Sequence, residues 1–283
     1  VIRWRGPGFI QRLLPPVVVG PVIMVIGLGL ASVAVNMATG KAGDGSAQLV
    51  DTNIALIISM ASLITTIIVA VFAKGIFRLV PILSGVLVGY GLSWSLGVVS
   101  FDSVGAAPWL AIPQFVTPEF KLAAILFMIP VAIAPAIEHI GDVLAIGGVT
   151  GKDYLKKPGL QNTLLGDGLA TSAAALFGGP PNTTYSEVTG AVMLTRNFNP
   201  NVMIWAAVFA IGLAFVDKFG AILLGMPVPV MGGILCLLFG SIAVVGMNTL
   251  IRHQIDLSQA RNLCIVSVTL VFGIGGMVIG NDS

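Results

Sequence analysis

The sequence predicts an all-α polytopic membrane protein, and three observations carry that prediction. Hydrophobic residues make up 56% of the chain and charged residues only 9%, with a mean hydropathy of +1.00; a soluble domain carries roughly 25% charged residues. Apolar runs recur along the whole chain, separated by charged and Gly/Pro-rich joints, and a bilayer-crossing helix needs about 20 such residues. The short alternating segments of a membrane barrel are absent. The 35 glycines and 16 prolines suit the same class, because both residues are commoner in membrane helices than in soluble ones. A net charge of +2 is too small to suggest nucleic acid and leaves the lipid bilayer as the expected partner.

Taken in order, the first span covers 15–38, behind Arg3, Arg5 and Arg12, and Lys74 and Arg78 divide the next two, at 53–73 and 78–99. Gly85 and Gly89 form a small-xxx-small pair that lets two helix backbones close up, read as packing within the bundle in preference to a dimer contact. Residues 100–119, with Asp102, Pro108, Trp109, Pro113 and Pro118, read as an exterior loop with an interfacial aromatic. Spans follow at 121–147 and 160–178, joined by a basic cytoplasmic connector at 152–159. Asp167, between Gly166 and Gly168, is expected as polar glue between helices, able to bond across to the segment that follows. The last spans are 201–217, 226–250 and 261–280, where Cys236 and Cys264 read as small packing residues.

Between 178 and 201 the chain is too short and broken for an ordinary span. Counted as one crossing, with the N-terminus cytoplasmic, it puts eleven of the fourteen basic residues inside, leaving Lys41, Lys121 and Lys218 outside. That asymmetry supports nine crossings. The chain opens Val-Ile-Arg-Trp-Arg without an initiator Met or a visible signal peptide, and reads as a piece of a longer protein.

Chemistry is expected where acids meet the break. Pro180-Pro181 removes two backbone donors and forces extended geometry before it, so no helix runs through. Non-helical backbone at membrane depth survives only when buried in protein or lining a watery cavity. Asn182-Thr183-Thr184-Tyr185 is β-prone, so a short extended stretch is expected, and Ser186 can cap a half-helix that runs to about Arg196. Glu187 then falls in the first turn, where the helix dipole favours a carboxylate. Glu138 lies in the apolar span 121–147, and an acid near the bilayer centre costs about 2.5–3.5 kcal/mol to insert on translocon scales. Glu138 and Asp142, four apart, share a helix face, whereas His139 points about 100° away. Two like charges one turn apart repel in low dielectric, making the cluster a natural proton acceptor. The plainer reading leaves His139 and Asp142 solvated near the cytoplasmic end of the span.

Ala136-Ile137-Glu138-His139-Ile140-Gly141, Pro181-Asn182-Thr183-Thr184-Tyr185-Ser186-Glu187, Glu187-x-x-Gly190-x-x-x-x-Thr195-Arg196 and Pro227-Val228-Pro229-Val230-Met231-Gly232-Gly233 together resemble the nucleobase/ascorbate transporter family, most closely its bacterial uracil and xanthine permeases. The resemblance covers essentially the whole chain. It implies a fold of two inverted repeats of seven segments, of which this chain looks like segments five to thirteen. Residues 1–120 would then be gate helices in three spans, 121–220 the core in four spans with one broken, and 221–283 gate helices in two spans. It implies a symporter rather than an enzyme, importing a nucleobase, uracil foremost, across the plasma (inner) membrane, with the proton as coupling ion and no other cofactor. A homodimer through gate helices is a further expectation. Glu138 and Glu187 would hold the base, with backbone at Tyr185 and Ser186 touching it, and Glu138, Asp142 and His139 would serve proton coupling. A uracil-like ring offers N–H donors beside C=O acceptors, so carboxylate and backbone N–H groups complement it. The chain departs from the pattern at Asp142, where some uracil permeases carry His, and at Val188, where the signature has Asn.

The alternatives are a xanthine or uric acid permease of the same family and an anion exchanger of the same fold. Two acids at the site disfavour an anionic substrate. An acid-pair intramembrane enzyme fits the half-helix less well, and His139 with Asp142 lacks a full set of metal ligands.

Overall fold

A computed structural model describes residues 15–185 and 187–275, with the side chains of a few helical residues, Glu187 among them, outside the described set. Helices are the regular elements throughout the described residues, and the β pairing seen there is one isolated bridge between Lys41 and Gln48. The chain divides into two compact units, residues 1–19 with 114–199 and residues 20–113 with 200–283.

The second unit contains most of α1 (Pro16–Gly29), then α2 (Ala31–Ala38), α3 (Thr52–Phe72), α4 (Pro81–Ser95) and the short α5 (Asp102–Ala106). It resumes with α10 (Asn201–Ala214), α11 (Asp217–Leu224), α12 (Val228–Arg252) and α13 (Ala260–Ile274). Asp51 starts α3 by accepting from the Asn53 and Ile54 amides, an N-cap that serves two otherwise orphaned donors. The helix α12 packs along α2 and α3, and α3 packs along α4. Ile58, Val230 and Ile234 form the centre of this bundle.

Small polar residues line part of its inside beside the aliphatic ones. Ser59, Ser62, Thr66 and Ser93 are all buried. Their hydroxyls are satisfied within their own helices, Ser62 donating to Ile58 O at 3.0 Å, Thr66 to Ser62 O at 2.8 Å and Ser93 to Gly89 O at 2.7 Å. Gly85 and Gly89 face that stripe. A methyl on Gly85 would collide with the Thr66 hydroxyl, and one on Gly89 with that of Ser62. The small-residue pair is thus spent on contact between α3 and α4, as its packing reading expects.

Among the described residues three helices are long and apolar enough to cross a membrane, the α1–α2 run Pro16–Ala38, Thr52–Phe72 and Val228–Arg252, and all three match expected spans. Other expected spans appear as shorter or interrupted helices. Pro81 opens α4, which holds 15 residues where 78–99 is expected, and α13 is described to Ile274. The expected 201–217 span ends early. After Ala214 the chain turns and continues as α11, bent 87° from α10, through residues expected as a connector. Asp217 lies in the first turn of α11, where a carboxylate suits the dipole, and that start signal was passed over because Lys218 reads as a loop charge.

The exterior loop also has more structure than expected. Lys218 Nζ donates to Val104 O at 2.9 Å and Gly105 O at 3.3 Å, at the end of α5, and lies 5.2 Å from the centre of the Trp109 ring. Tyr90 donates its hydroxyl to Ile222 O at 3.1 Å. Cys236 is half-buried, but Cys264 is exposed on α13, which corrects its reading as a packing residue.

Candidate functional site

The first unit holds α6 (Leu122–Val131), α7 (Ile133–Thr150), α8 (Leu160–Leu176) and α9 (Glu187–Thr195). The expected span 121–147 is therefore two helices meeting at Ala132, and its second part carries Glu138, His139 and Asp142. Gly151, left-handed at φ 70°, ends α7. Asp153 then organises the basic connector, accepting from the Leu155 and Lys156 amides and pairing with the Lys156 ammonium at 3.2 Å. These contacts hold its carboxyl below the usual aspartate range, with the Lys156 side chain as the largest cause.

The interruption forms as the two prolines dictate. At the end of α8 the Gly178 and Gly179 amides bond back to Ala175 O and Ala174 O at 3.0 and 2.9 Å. Gly178 has φ +82°, and a methyl there would meet Val116 O at 2.8 Å. Phe115 packs on Phe177 with ring centres 5.5 Å apart, so the end of the expected exterior loop is folded onto the break. Residues 179–185 then run without regular structure, and Asn182–Tyr185 forms no ladder despite its β propensity. Helix begins again at Glu187, as the expected half-helix, and ends at Arg196 with φ 51°.

Two hydrogen bonds tie this stretch to its neighbours. His139 Nδ1 and Thr184 Oγ1 are 2.6 Å apart. Thr171 on α8 donates to Asn182, with its Oγ1 3.0 Å from the backbone oxygen and 2.5 Å from Oδ1. The bond to the break that Asp167 was expected to supply comes from Thr171, one turn further along α8. Asp167 itself lies within electrostatic reach of His139. Thr171 was missed because a threonine in an apolar run gives no signal beyond its i+4 spacing from an acid.

The expected site residues sort as follows. Helix α9 packs against α7, so the helix that Glu187 opens lies beside the one that carries Glu138. Glu138 and Asp142 are half-buried, and each has an interaction partner. His139 is 5% exposed, which corrects its reading as a solvated residue at the end of a span. Its Nε2, like Thr183 Oγ1, is buried without a hydrogen-bond partner among the described residues. Tyr185 is exposed, which leaves its backbone as the expected contact. Ser186 and the Glu187 side chain lie outside the described residues. No three His, Cys, Asp or Glu side chains gather as a metal site among the described residues.

The arrangement offers a half-buried carboxylate and unpaired polar atoms beside a helix start, a set suited to a small neutral molecule with mixed donors and acceptors. Comparison with known proteins gives the family. The profile of a permease family, that of the xanthine and uracil permeases, matches residues 1–281. The chain is 60% identical over 279 residues to a Pasteurella multocida protein named "Probable uracil permease", covering 99% of this chain and 66% of the relative. A Haemophilus influenzae protein of the same name is 59% identical over 285 residues, covering 100% of this chain and 68% of the relative. The uracil permease of Bacillus caldolyticus is 45% identical over 285 residues, covering 99% and 65%. The chain thus spans about two thirds of the length of the relatives it matches. It belongs to the xanthine/uracil permease family, the nucleobase/ascorbate transporters that its acidic and prolyl motifs resemble, and is a multi-pass membrane protein.

Proposed function

We propose that the intact protein is a proton-coupled symporter that imports a nucleobase, uracil foremost, across the plasma membrane. The observation that supports this most is the packing of α9, which Glu187 opens, against α7, the helix that carries Glu138. Relatives up to 60% identical carry uracil permease names. Glu138 accepts a ring N–H and takes the coupling proton, Glu187 fixes the ring edge, and backbone at Tyr185 and Ser186 serves the carbonyls. Asp142, one turn from Glu138 on α7, acts with it and His139 in proton coupling. The core, 121–220, carries the site and moves against gate helices in 1–120 and 221–283, through which two copies associate. The proton is the only cofactor.

Uptake of labelled uracil tests this. Glu138→Ala should abolish proton-driven accumulation, while Glu138→Gln retains part of the binding and loses the coupling. Full accumulation by the Ala variant would remove Glu138 from the site. Saturable uptake of labelled xanthine or uric acid with none of labelled uracil would move the assignment to the purine alternative, and uptake of labelled sulfate with none of any base would move it to anion exchange.

A further inference from the structure

The bond between His139 and Thr184 joins the immediate neighbourhoods of both acids. His139 follows Glu138 directly, and Thr184 stands three residues before Glu187. Three residues of extended chain span at most about 10 Å, so an anchor at Thr184 confines the start of α9 to a small volume. Pro180-Pro181 stiffens the chain on the other side, and Thr171 holds Asn182.

The geometry points to His139 as a positioning residue that fixes the interrupted segment against α7 and so sets Glu187 at the right height opposite Glu138. Its 95% burial shields the 2.6 Å bond from competing water. One ring nitrogen is committed to Thr184, whichever partner supplies the proton. The other, Nε2, is buried like Thr183 Oγ1 and without a partner among the described residues, which leaves two polar atoms for which a bound polar molecule gains most. This role differs from proton relay, because it requires the bond and not a change of charge. It rests on the uracil reading only for the binding measurement below.

The test uses the intact protein with two paired substitutions. Asn places its amide near the position of Nδ1, whereas Gln places it near Nε2, so His139→Asn keeps the bond and His139→Gln loses it. Thr184→Ser keeps the hydroxyl, and Thr184→Val removes it at nearly constant volume. We expect His139→Gln and Thr184→Val each to weaken uracil binding about tenfold, with the double variant no weaker than either single one, since contacting residues couple. Helical amides 191–195 of α9 in the ligand-free protein should exchange about tenfold faster in both, as a locally opened segment does. His139→Asn and Thr184→Ser should stay close to the parent in exchange, and Thr184→Ser in binding as well. Unchanged exchange at 191–195 in His139→Gln and Thr184→Val, or losses that simply add in the double variant, overturns the proposal. The exchange arm needs no substrate. A parent protein that fails to bind uracil while exchange responds as expected sinks the substrate reading and leaves the positioning role standing.

Discussion

Gly178 carries two constraints at once, a left-handed backbone at φ +82° and a carbonyl, that of Val116, 2.8 Å from where a Cβ would sit. Left-handed geometry costs an L-residue about 1–2 kcal/mol, and overpacking typically adds about 1–3. Gly178→Ala should therefore destabilise the first unit by roughly 2–5 kcal/mol, read as a lower thermal transition of the solubilised protein. Gly168→Ala is the control. Gly168 is helical with open space around it, and alanine there should leave the transition unchanged or raise it slightly. Equal transitions for the two variants would show that Val116 yields freely and that the break is not braced there. At the same scale the acids were readable, because a carboxylate in an apolar run is costly wherever it lies. The threonines that hold the break were not, since Thr171 and Thr184 cost little in any environment.

Elements are set by their ends. The turn between α12 and α13 is organised by Asp256, which accepts from the Ser258 amide at 2.9 Å and its hydroxyl at 2.6 Å, while Asn262 donates to the Asp256 carbonyl at 2.9 Å. The Ser258 side chain, then its amide, hold the Asp256 carboxyl below its ordinary value. A depressed carboxylate stabilises the folded turn above the unfolded value, about 3.9, and that contribution is lost as pH falls through the folded one. Asp256→Ala should accordingly speed amide exchange at Ser258 near neutral pH, by a margin that shrinks as pH falls below the ordinary carboxylate range; a margin that does not change with pH would show that the carboxylate charge is irrelevant. Element ends also explain the miss at α11. Hydropathy reads 201–217 as one span, but the turn after Ala214 and the acid at Asp217 divide it, and only the backbone shows the 87° bend.

At the scale of the molecule, the surface is apolar and the interior partly polar. Every residue of α10 is exposed, including Trp205 and Phe209, while Ser59, Ser62, Thr66 and Ser93 are buried. In water this arrangement would aggregate; in lipid it is the stable one, because small residues let helices approach and apolar faces meet the acyl chains. The alternation of basic loops then predicts which side each joint faces. In a variant free of native cysteines, Lys41→Cys should react with an impermeant thiol reagent from outside intact cells, and Lys152→Cys only after the membrane is opened. Reaction of both from one side would break the crossing scheme. The Lys218 contacts with Val104, Gly105 and Trp109 bring that lysine to the 100–119 loop, which agrees with assigning both to one face.

Composition and spacing were enough for the class, the main spans, the break at Pro180-Pro181 and the half-helix from Glu187, because each follows from local costs: unpaired backbone in lipid, a missing amide, an acid in an apolar run. The family was legible as well, through the resemblance of the motifs around Glu138 and Glu187 to those of known transporters. Contacts between residues distant in sequence were decided by the fold alone. Which side chain of α7 meets Thr184, and that Thr171 rather than Asp167 holds Asn182, depend on how helices are rotated and offset against each other. A one-residue rotation of about 100° exchanges His139 for Glu138 at a helix face at almost no change in hydropathy, so only packed neighbours could choose between them.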